Sequence, residues 1–207
     1  MRQFKFLLFM VALVTMSFDV PAPGPTDAER EYASKYLKET KDDLLKKVKG
    51  LTAEQLNFKA TPESWSVAEV VEHIAISENN LFGFAQQGLQ QPADPSLRKD
   101  VKMTDDGIIN MITDRTHKVK TQEAFEPANK FGSFDASLKE FKTKRDDHIK
   151  YIKTTSEDLR NHYNDFPFGK IDTYQTILFM AAHSKRHTEQ IVEVMNNPGF
   201  PKGKSKS

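Results

Sequence analysis

Residues 172–197 read DTYQTILFMAAHSKRHTEQIVEVMNN, and Pro198 and Gly199 follow directly. Asp172 is a favourable residue before a helix, and neither Pro nor Gly continues one, so the segment predicts one long helix. His183 and His187 stand four positions apart and therefore share a face, which is predicted to point into the core. At about 100° per residue, that face also carries Thr176, Phe179, Met180, Gln190, Ile191 and Val194. The charged side chains are predicted to lie on the other side: Lys185, Arg186, Glu189 and Glu193.

A second predicted helix carries the side chains that His183 and His187 can face. Ser66 and Glu69 form a capping box, which predicts a helix that reaches about residue 87. Its apolar stripe consists of Val67, Val70, Val71, Ile74, Leu81 and Ala85. His73 lies at the flank of that stripe. Three side chains in line with His73 are expected to line a pocket: Ser77, Asn80 and Phe84.

Three histidines from two helices can therefore converge, namely His73, His183 and His187. Three neutral imidazoles with a fourth position open form one type of catalytic zinc site, which nickel or iron can also occupy. The alternative is a histidine pair satisfied by ordinary hydrogen bonds in the core. The spacing of the pair alone does not choose between the two.

Helical patterning continues through most of the remaining chain. Thr26 and Glu29 form another capping box, and Trp65 is expected to anchor the start of the second helix as a hydrophobic staple. The predicted segments are a first helix over residues 27–49, a third long helix over 135–159, and a turn over 161–170. A polar connection over residues 88–132 holds one short helix, and no stretch alternates like a strand. The sequence predicts an all-α four-helix bundle with a long crossover between the second and third long helices.

Residues 1–24 are predicted to lie outside the fold. Arg2 and Lys5 precede an apolar run that ends near Met16, and a Pro-rich stretch follows. The run is short for a membrane span, so this layout is typical of a secretory signal peptide. We expect export to the periplasm or medium without a stable membrane anchor after processing. The mature domain is expected over residues 25–200, with a disordered basic tail over 201–207; an uncleaved anchor or a short buried helix is the alternative for the leader.

Length and composition narrow the possible functions. The 207 residues suit one domain with a substantial core. Thirty basic and 29 acidic residues are interspersed, so no nucleic-acid partner and no polybasic membrane patch is predicted. The absence of cysteine excludes disulfides, thiolate nucleophiles and cysteine-ligated zinc.

Two parts of the chain resemble one known family. The first is residues 65–74 (WSVAEVVEHI) after residues 51–56 (LTAEQL), and the second is residues 167–170 (PFGK) leading into residues 183–191 (HSKRHTEQI). Together they resemble the DinB-like superfamily of damage-inducible proteins, over nearly all of the chain after the leader. The resemblance implies a four-helix bundle, often a homodimer, and a divalent metal held by three histidines that match His73, His183 and His187. The family includes thiol-dependent transferases, isomerases and hydrolases, so the resemblance leaves the substrate open.

Three further side chains are candidates near this site. His148 lies along the inward edge of the third long helix and is either a fourth ligand or acid/base group, or a partly buried polar residue at the bundle edge. Gln190 follows His187 by about one turn and is either its hydrogen-bond partner or a packing residue. Glu69 is expected to cap its helix rather than act as a base.

The predicted function is hydrolysis of an unknown small molecule by a metal-activated water at the three-histidine site. The alternatives are a metal-dependent S-transferase that uses a low-molecular-weight thiol, and a metal- or ligand-binding module without turnover. Export weighs against a cytosolic thiol cosubstrate, so hydrolysis ranks first. No Ser-His-Asp or paired-carboxylate arrangement in the sequence suggests a metal-free route.

Overall fold

Four long helices and a crossover make up the protein in a computed structural model that describes residues 24–117 and 119–202. The helices are α1 (Asp27–Val48), α2 (Ala53–Asn57), α3 (Val67–Leu89), α4 (Asp105–Thr113), α5 (Phe134–Thr154) and α6 (Thr173–Met195). Two strands, β1 (Tyr163–Phe166) and β2 (Gly169–Asp172), precede α6, and two 3₁₀ helices, Pro95–Asp100 and Glu123–Phe125, lie in the crossover. Most of the predicted leader (residues 1–23) and of the predicted tail (residues 203–207) lies outside the described residues.

The long helices form a ring. Both α5 and α6 pack against α1, and α3 packs against the same two helices from the opposite side, so α1 and α3 are diagonal to each other. The crossover carries α4, which packs against α6. The predicted four-helix bundle with a long crossover is therefore confirmed. None of the helices within the two described ranges is long and apolar enough to cross a membrane.

The predicted helix starts are confirmed by their caps. Thr26 with Glu29 and Ser66 with Glu69 form complete capping boxes, and the backbone N–H of Ser66 donates to Glu69 Oε2 at 2.7 Å. Asp172 caps α6 by accepting from the Gln175 backbone N–H at 2.7 Å. The third long helix ends earlier than predicted, at Thr154, and Leu159 reaches the core from the loop that follows.

A β-hairpin replaces the predicted turn before α6. Residues 163–166 pair antiparallel with residues 169–172, and Gly169 takes a φ of 126°, which favours glycine. Most residues of β1 are half-buried, so its two faces do not differ in burial. Its sequence therefore does not alternate between apolar and polar residues. The hairpin packs so closely on α3 that a Cβ at Gly88 would lie 2.8 Å from Asn164 Nδ2.

A buried polar layer divides the core into two apolar halves. Arg145 of α5 bonds to one side chain from each of the other long helices, namely Thr40, Glu78 and Ser184, and His148 of α5 also bonds to Glu78. The apolar half beyond the layer on one side includes Leu37, Leu81, Ile152 and Ile177. The half on the other side includes Leu44, Ile74, Phe141 and Ile191. The bundle is therefore not a uniform apolar core, because a guanidinium and a carboxylate are enclosed at its centre.

Candidate metal centre

Three histidines meet between α3 and α6. One nitrogen each from His73, His183 and His187 lies within 4.8 Å of the others. The Nε2 atoms of His73 and His187 are 3.1 Å apart, and the centroid of the His183 ring is 4.4 Å from that of His187. His73 is only 2% exposed, so its side chain at the flank of the apolar stripe is enclosed in the bundle.

Hydrogen bonds orient two of the imidazoles. His73 Nδ1 lies 2.7 Å from the carbonyl oxygen of Phe125, and His187 Nδ1 lies 2.7 Å from Gln190 Oε1. Because both oxygens only accept, each Nδ1 carries the proton and each Nε2 keeps its lone pair. Two lone pairs thus face each other, an arrangement that a cation stabilises.

The donor set fits a divalent ion. Two nitrogens bound tetrahedrally to zinc at 2.0–2.1 Å lie about 3.3–3.4 Å apart, close to the 3.1 Å between the Nε2 atoms of His73 and His187. In addition, a hydrogen bond from the non-ligating nitrogen to a carbonyl or amide oxygen is the usual support for a metal-bound histidine. His73, His183 and His187 could therefore hold a metal through their neutral rings.

The surroundings keep these imidazoles neutral. Burial lowers the pKa of His73, and burial together with the neighbouring imidazoles lowers the pKa of His183 well below its ordinary value. Burial and His73 lower the pKa of His187 to about 3. Protons therefore compete weakly for these nitrogens at neutral pH, which favours metal binding.

The three histidines open onto a cleft with a volume of about 760 Å³. α3, α6, the crossover and the hairpin all contribute to its walls, and Phe84 is among the lining residues, as predicted. Arg186 also lines the cleft, although we expected it on the opposite side of the helix from the histidines. The crossover explains the difference, because the Arg186 guanidinium donates to the backbone carbonyls of Ile112, Asp114 and His117.

Comparison with known proteins agrees with this geometry. Residues 36–191 match the sequence profile of the DinB superfamily. The chain belongs to this family. The DinB chain is 28% identical over 148 residues to the uncharacterized protein YuaE of Bacillus subtilis (strain 168), a match covering 71% of the chain and 87% of YuaE.

A solved structure supports the fold of this DinB protein. YfiT from Bacillus subtilis superposes with a TM-score of 0.56 at 16% sequence identity, over 87% of the present chain and 94% of YfiT. YfiT is described as a probable metal-dependent hydrolase with an unusual four-helix bundle topology. At this level of identity the likeness shows a shared fold.

Four of the predicted pocket residues of the DinB chain do not line the cleft: Gln190, which bonds to His187, and Ser77, Asn80 and His148. Ser77 is 1% exposed and lies within the packed bundle, out of reach of a ligand. Asn80 is turned toward the crossover, where its Nδ2 donates to the Ala124 carbonyl at 3.2 Å. His148 lies outside the histidine cluster, with its Nδ1 2.7 Å from Glu78 Oε1 and its ring stacked on Phe82 at 3.8 Å.

Trp65 has a closer relation to the DinB site than the sequence indicated. Its ring centroid lies 4.8 Å from that of His73 and 6.5 Å from that of His187. The signal that could have placed it is its position immediately before the cap of α3, about two turns before His73. Glu69, in contrast, stays at the cap and pairs with Lys59 at 2.7 Å.

Replacing Gln190 by alanine is expected to weaken divalent-metal binding about 10–100-fold, because His187 loses the partner that fixes its ring. Trp65 is the single tryptophan and contacts two of the histidines, so quenching of its fluorescence by Ni²⁺ measures the affinity. Glu189→Ala changes an exposed neighbour and serves as the control. Equal affinity in Gln190→Ala and the parent would mean that Gln190 only packs.

Proposed function

We propose that this chain is a metal-dependent hydrolase that works on a small molecule bound in the cleft. The observation that carries the proposal is that all three histidines line one cleft of about 760 Å³. Such a volume suits a small-molecule ligand. The description of YfiT, which shares the fold, as a probable metal-dependent hydrolase supports the same class of reaction.

The proposed cofactor is a divalent ion held by His73, His183 and His187. Zinc or nickel suits three neutral imidazoles best, and iron also accepts them. When bound at such a site, the ion supplies an activated water at neutral pH and a Lewis acid for a substrate carbonyl.

The protein's own residues orient the ligands and shape the reaction space. Phe125 and Gln190 hold the Nδ1 protons of two histidines, so the Nε2 lone pairs are presented to one point. Phenylalanines line the cleft and exclude water from the bound substrate. Among the described lining residues Asp165 is the only carboxylate, and it pairs with Lys170 at 2.7 Å. A side-chain carboxylate base is therefore not part of the proposal.

Turnover of esters, amides and lactams by the purified protein tests the proposal. Chelation is expected to reduce turnover at least about a hundredfold, and reloading with zinc or nickel is expected to restore it. His73→Ala, treated with the same metals, is expected to stay inactive while retaining most of its helical circular dichroism. Turnover that survives in the metal-free protein would contradict the mechanism. Turnover that requires an added thiol would identify S-transfer instead, and none across the panel would favour a binding module.

A further inference from the structure

An aromatic wall runs along one side of the cleft. Phe166 and Phe168 project from the hairpin and stack at 5.3 Å with an interplanar angle of 12°. Both pack against Phe179, at 5.3 Å and 5.7 Å. Phe84 lies 6.1 Å from Phe166 and 6.5 Å from Phe125, which extends the wall toward the crossover.

Part of this apolar surface is open to solvent. Phe84 is 38% exposed and Val119 is 78% exposed, and both line the cleft. Exposed apolar surface that continues into a concave site is typical of ligand binding. The wall therefore suits a substrate with a large apolar body, and aromatic rings add stacking to simple burial.

The charged groups of the cleft are mainly positive. Lys120 and Arg186 line it, and none of the ion pairs among the described residues involves either side chain. The hydrogen bonds of Arg186 go to backbone carbonyls, which fix the guanidinium, and its charge also interacts with the carboxylates of Asp114 and Glu193 and with the Arg115 guanidinium. The nearby Glu193 pairs with Arg115 at 2.5 Å.

Arg186 also has donors to spare. Its three hydrogen bonds come from Nη1 and Nη2, whereas a guanidinium offers five N–H groups. Because Arg186 and the three histidines line the same cleft, an anion bound to Arg186 would share the cleft with the histidine cluster. A guanidinium held in place in this way is a favourable site for a carboxylate, sulfonate or phosphate.

We infer that the substrate of this cleft is an anion with a large aromatic or similarly bulky apolar body. The aromatic wall binds the body, and Arg186, with Lys120, binds the negative charge. The inference rests on the proposed function in that it names the substrate class of the same site. It is tested by binding alone, so it can be judged whether or not hydrolysis is found.

Two fluorescent probes with the same body separate the two contributions. They are 8-anilinonaphthalene-1-sulfonate, which is anionic, and N-phenyl-1-naphthylamine, which lacks the sulfonate. The metal-free and metal-loaded protein is expected to bind both. Arg186→Gln is expected to weaken the anionic probe at least about tenfold, the effect of a lost charged hydrogen bond, and to leave the neutral probe unchanged. Phe166→Ala is expected to weaken both probes about tenfold.

Matched variants control for indirect effects. Lys185→Gln removes an exposed cation from the same helix, and Phe58→Ala removes a ring from the separate pair that Phe58 forms with Phe200. Neither is expected to change binding of either probe. Arg186→Lys keeps the charge but loses the guanidinium bonds to the crossover, and it is expected to retain most of the anionic probe's affinity.

Several results would overturn the inference. Equal weakening of both probes by Arg186→Gln and Arg186→Lys would mean that Arg186 only holds the crossover in place. If Arg186→Gln binds the anionic probe as tightly as the parent, the substrate is not selected for its negative charge. If Phe166→Ala binds both probes as tightly as the parent, the substrate is not selected for an aromatic body. If both probes bind as expected but no metal-dependent turnover is found, the proposed hydrolysis fails and the ligand class stands.

Discussion

Replacing His183 by alanine is expected to abolish stoichiometric divalent-metal binding while the bundle stays folded. His183 contributes one of the three nitrogens that cluster within 4.8 Å, and two imidazoles alone make a much weaker site. The affinity should fall by more than about a hundredfold, the upper range for losing only a ligand's hydrogen-bond partner. The helices should persist because the packed apolar halves of the core do not include the His183 ring.

Metal analysis of chelated and reloaded protein measures this effect. The parent is expected to retain about one zinc or nickel ion per chain, as a three-histidine site would. His117→Ala removes an exposed histidine outside the cluster and should bind metal like the parent. Titration of Trp65 fluorescence gives the affinities, and circular dichroism checks the fold. Parent-like binding by His183→Ala would place the ion elsewhere in the chain.

Replacing Arg145 by methionine is expected to destabilise the fold by about 3–5 kcal/mol, because it leaves a buried carboxylate without its main partner. Arg145 is fully buried and donates to both carboxylate oxygens of Glu78, at 2.8 and 2.6 Å. It also donates to the Thr40 hydroxyl at 2.7 Å and to the Ser184 hydroxyl at 2.6 Å. The expected loss is a large part of the total stability of an ordinary domain.

Urea denaturation of matched variants tests the Arg145 prediction. Lys142→Met changes an exposed residue of the same helix and should alter stability by less than about 0.5 kcal/mol. The double variant Arg145→Met/Glu78→Leu removes both charges and should be more stable than Arg145→Met alone. If the double variant is no more stable than Arg145→Met, the loss of stability comes from altered packing and not from the unpaired Glu78 carboxylate.

The pH dependence of stability provides a second signature. Burial alone would raise the pKa of Glu78, but Arg145 and His148 outweigh it and leave that pKa below its ordinary value. In the parent, the stabilisation of the fold by ionised Glu78 is fully present above the ordinary glutamate pKa. It is lost as the pH falls through the lowered pKa. In Arg145→Met, burial should raise the pKa of Glu78, so protonation relieves the penalty. The stability gap between the two proteins should therefore narrow as the pH falls.

The sequence predicted the helices well because their boundaries depend on local chemistry. The boxes at Thr26 and Ser66, and the cap at Asp172, lie where the hydroxyl or carboxylate accepts from the first turn. Helical spacing allowed His73 to converge with the pair on α6, and the family resemblance implied that the three histidines share one site. The hairpin was missed because its strands are short and half-exposed, and the backbone of Gly169 supplies a conformation that no periodicity reports.

The walls of the site could not be predicted because they depend on contacts distant in sequence. Arg186 reaches the cleft by binding carbonyls more than 65 positions away, as the separations of 74, 72 and 69 residues show. His148 was placed correctly at the inner edge of its helix, but its partner proved to be Glu78, 70 positions away. A charged residue such as Glu78 is expected on the surface when only the sequence is considered, because its counter-ion on another helix is not yet known.

The origin of the histidines bears on how such a protein can change its substrate. All three come from α3 and α6, whereas the crossover and the hairpin supply much of the cleft. The crossover's hydrogen bond to the cluster comes from the backbone carbonyl of Phe125, a group that any residue in that position would provide. Sequence changes in these loops can therefore alter the walls of the cleft without moving the three histidines. A scaffold of this kind can evolve to bind new substrates while it keeps its metal ligands.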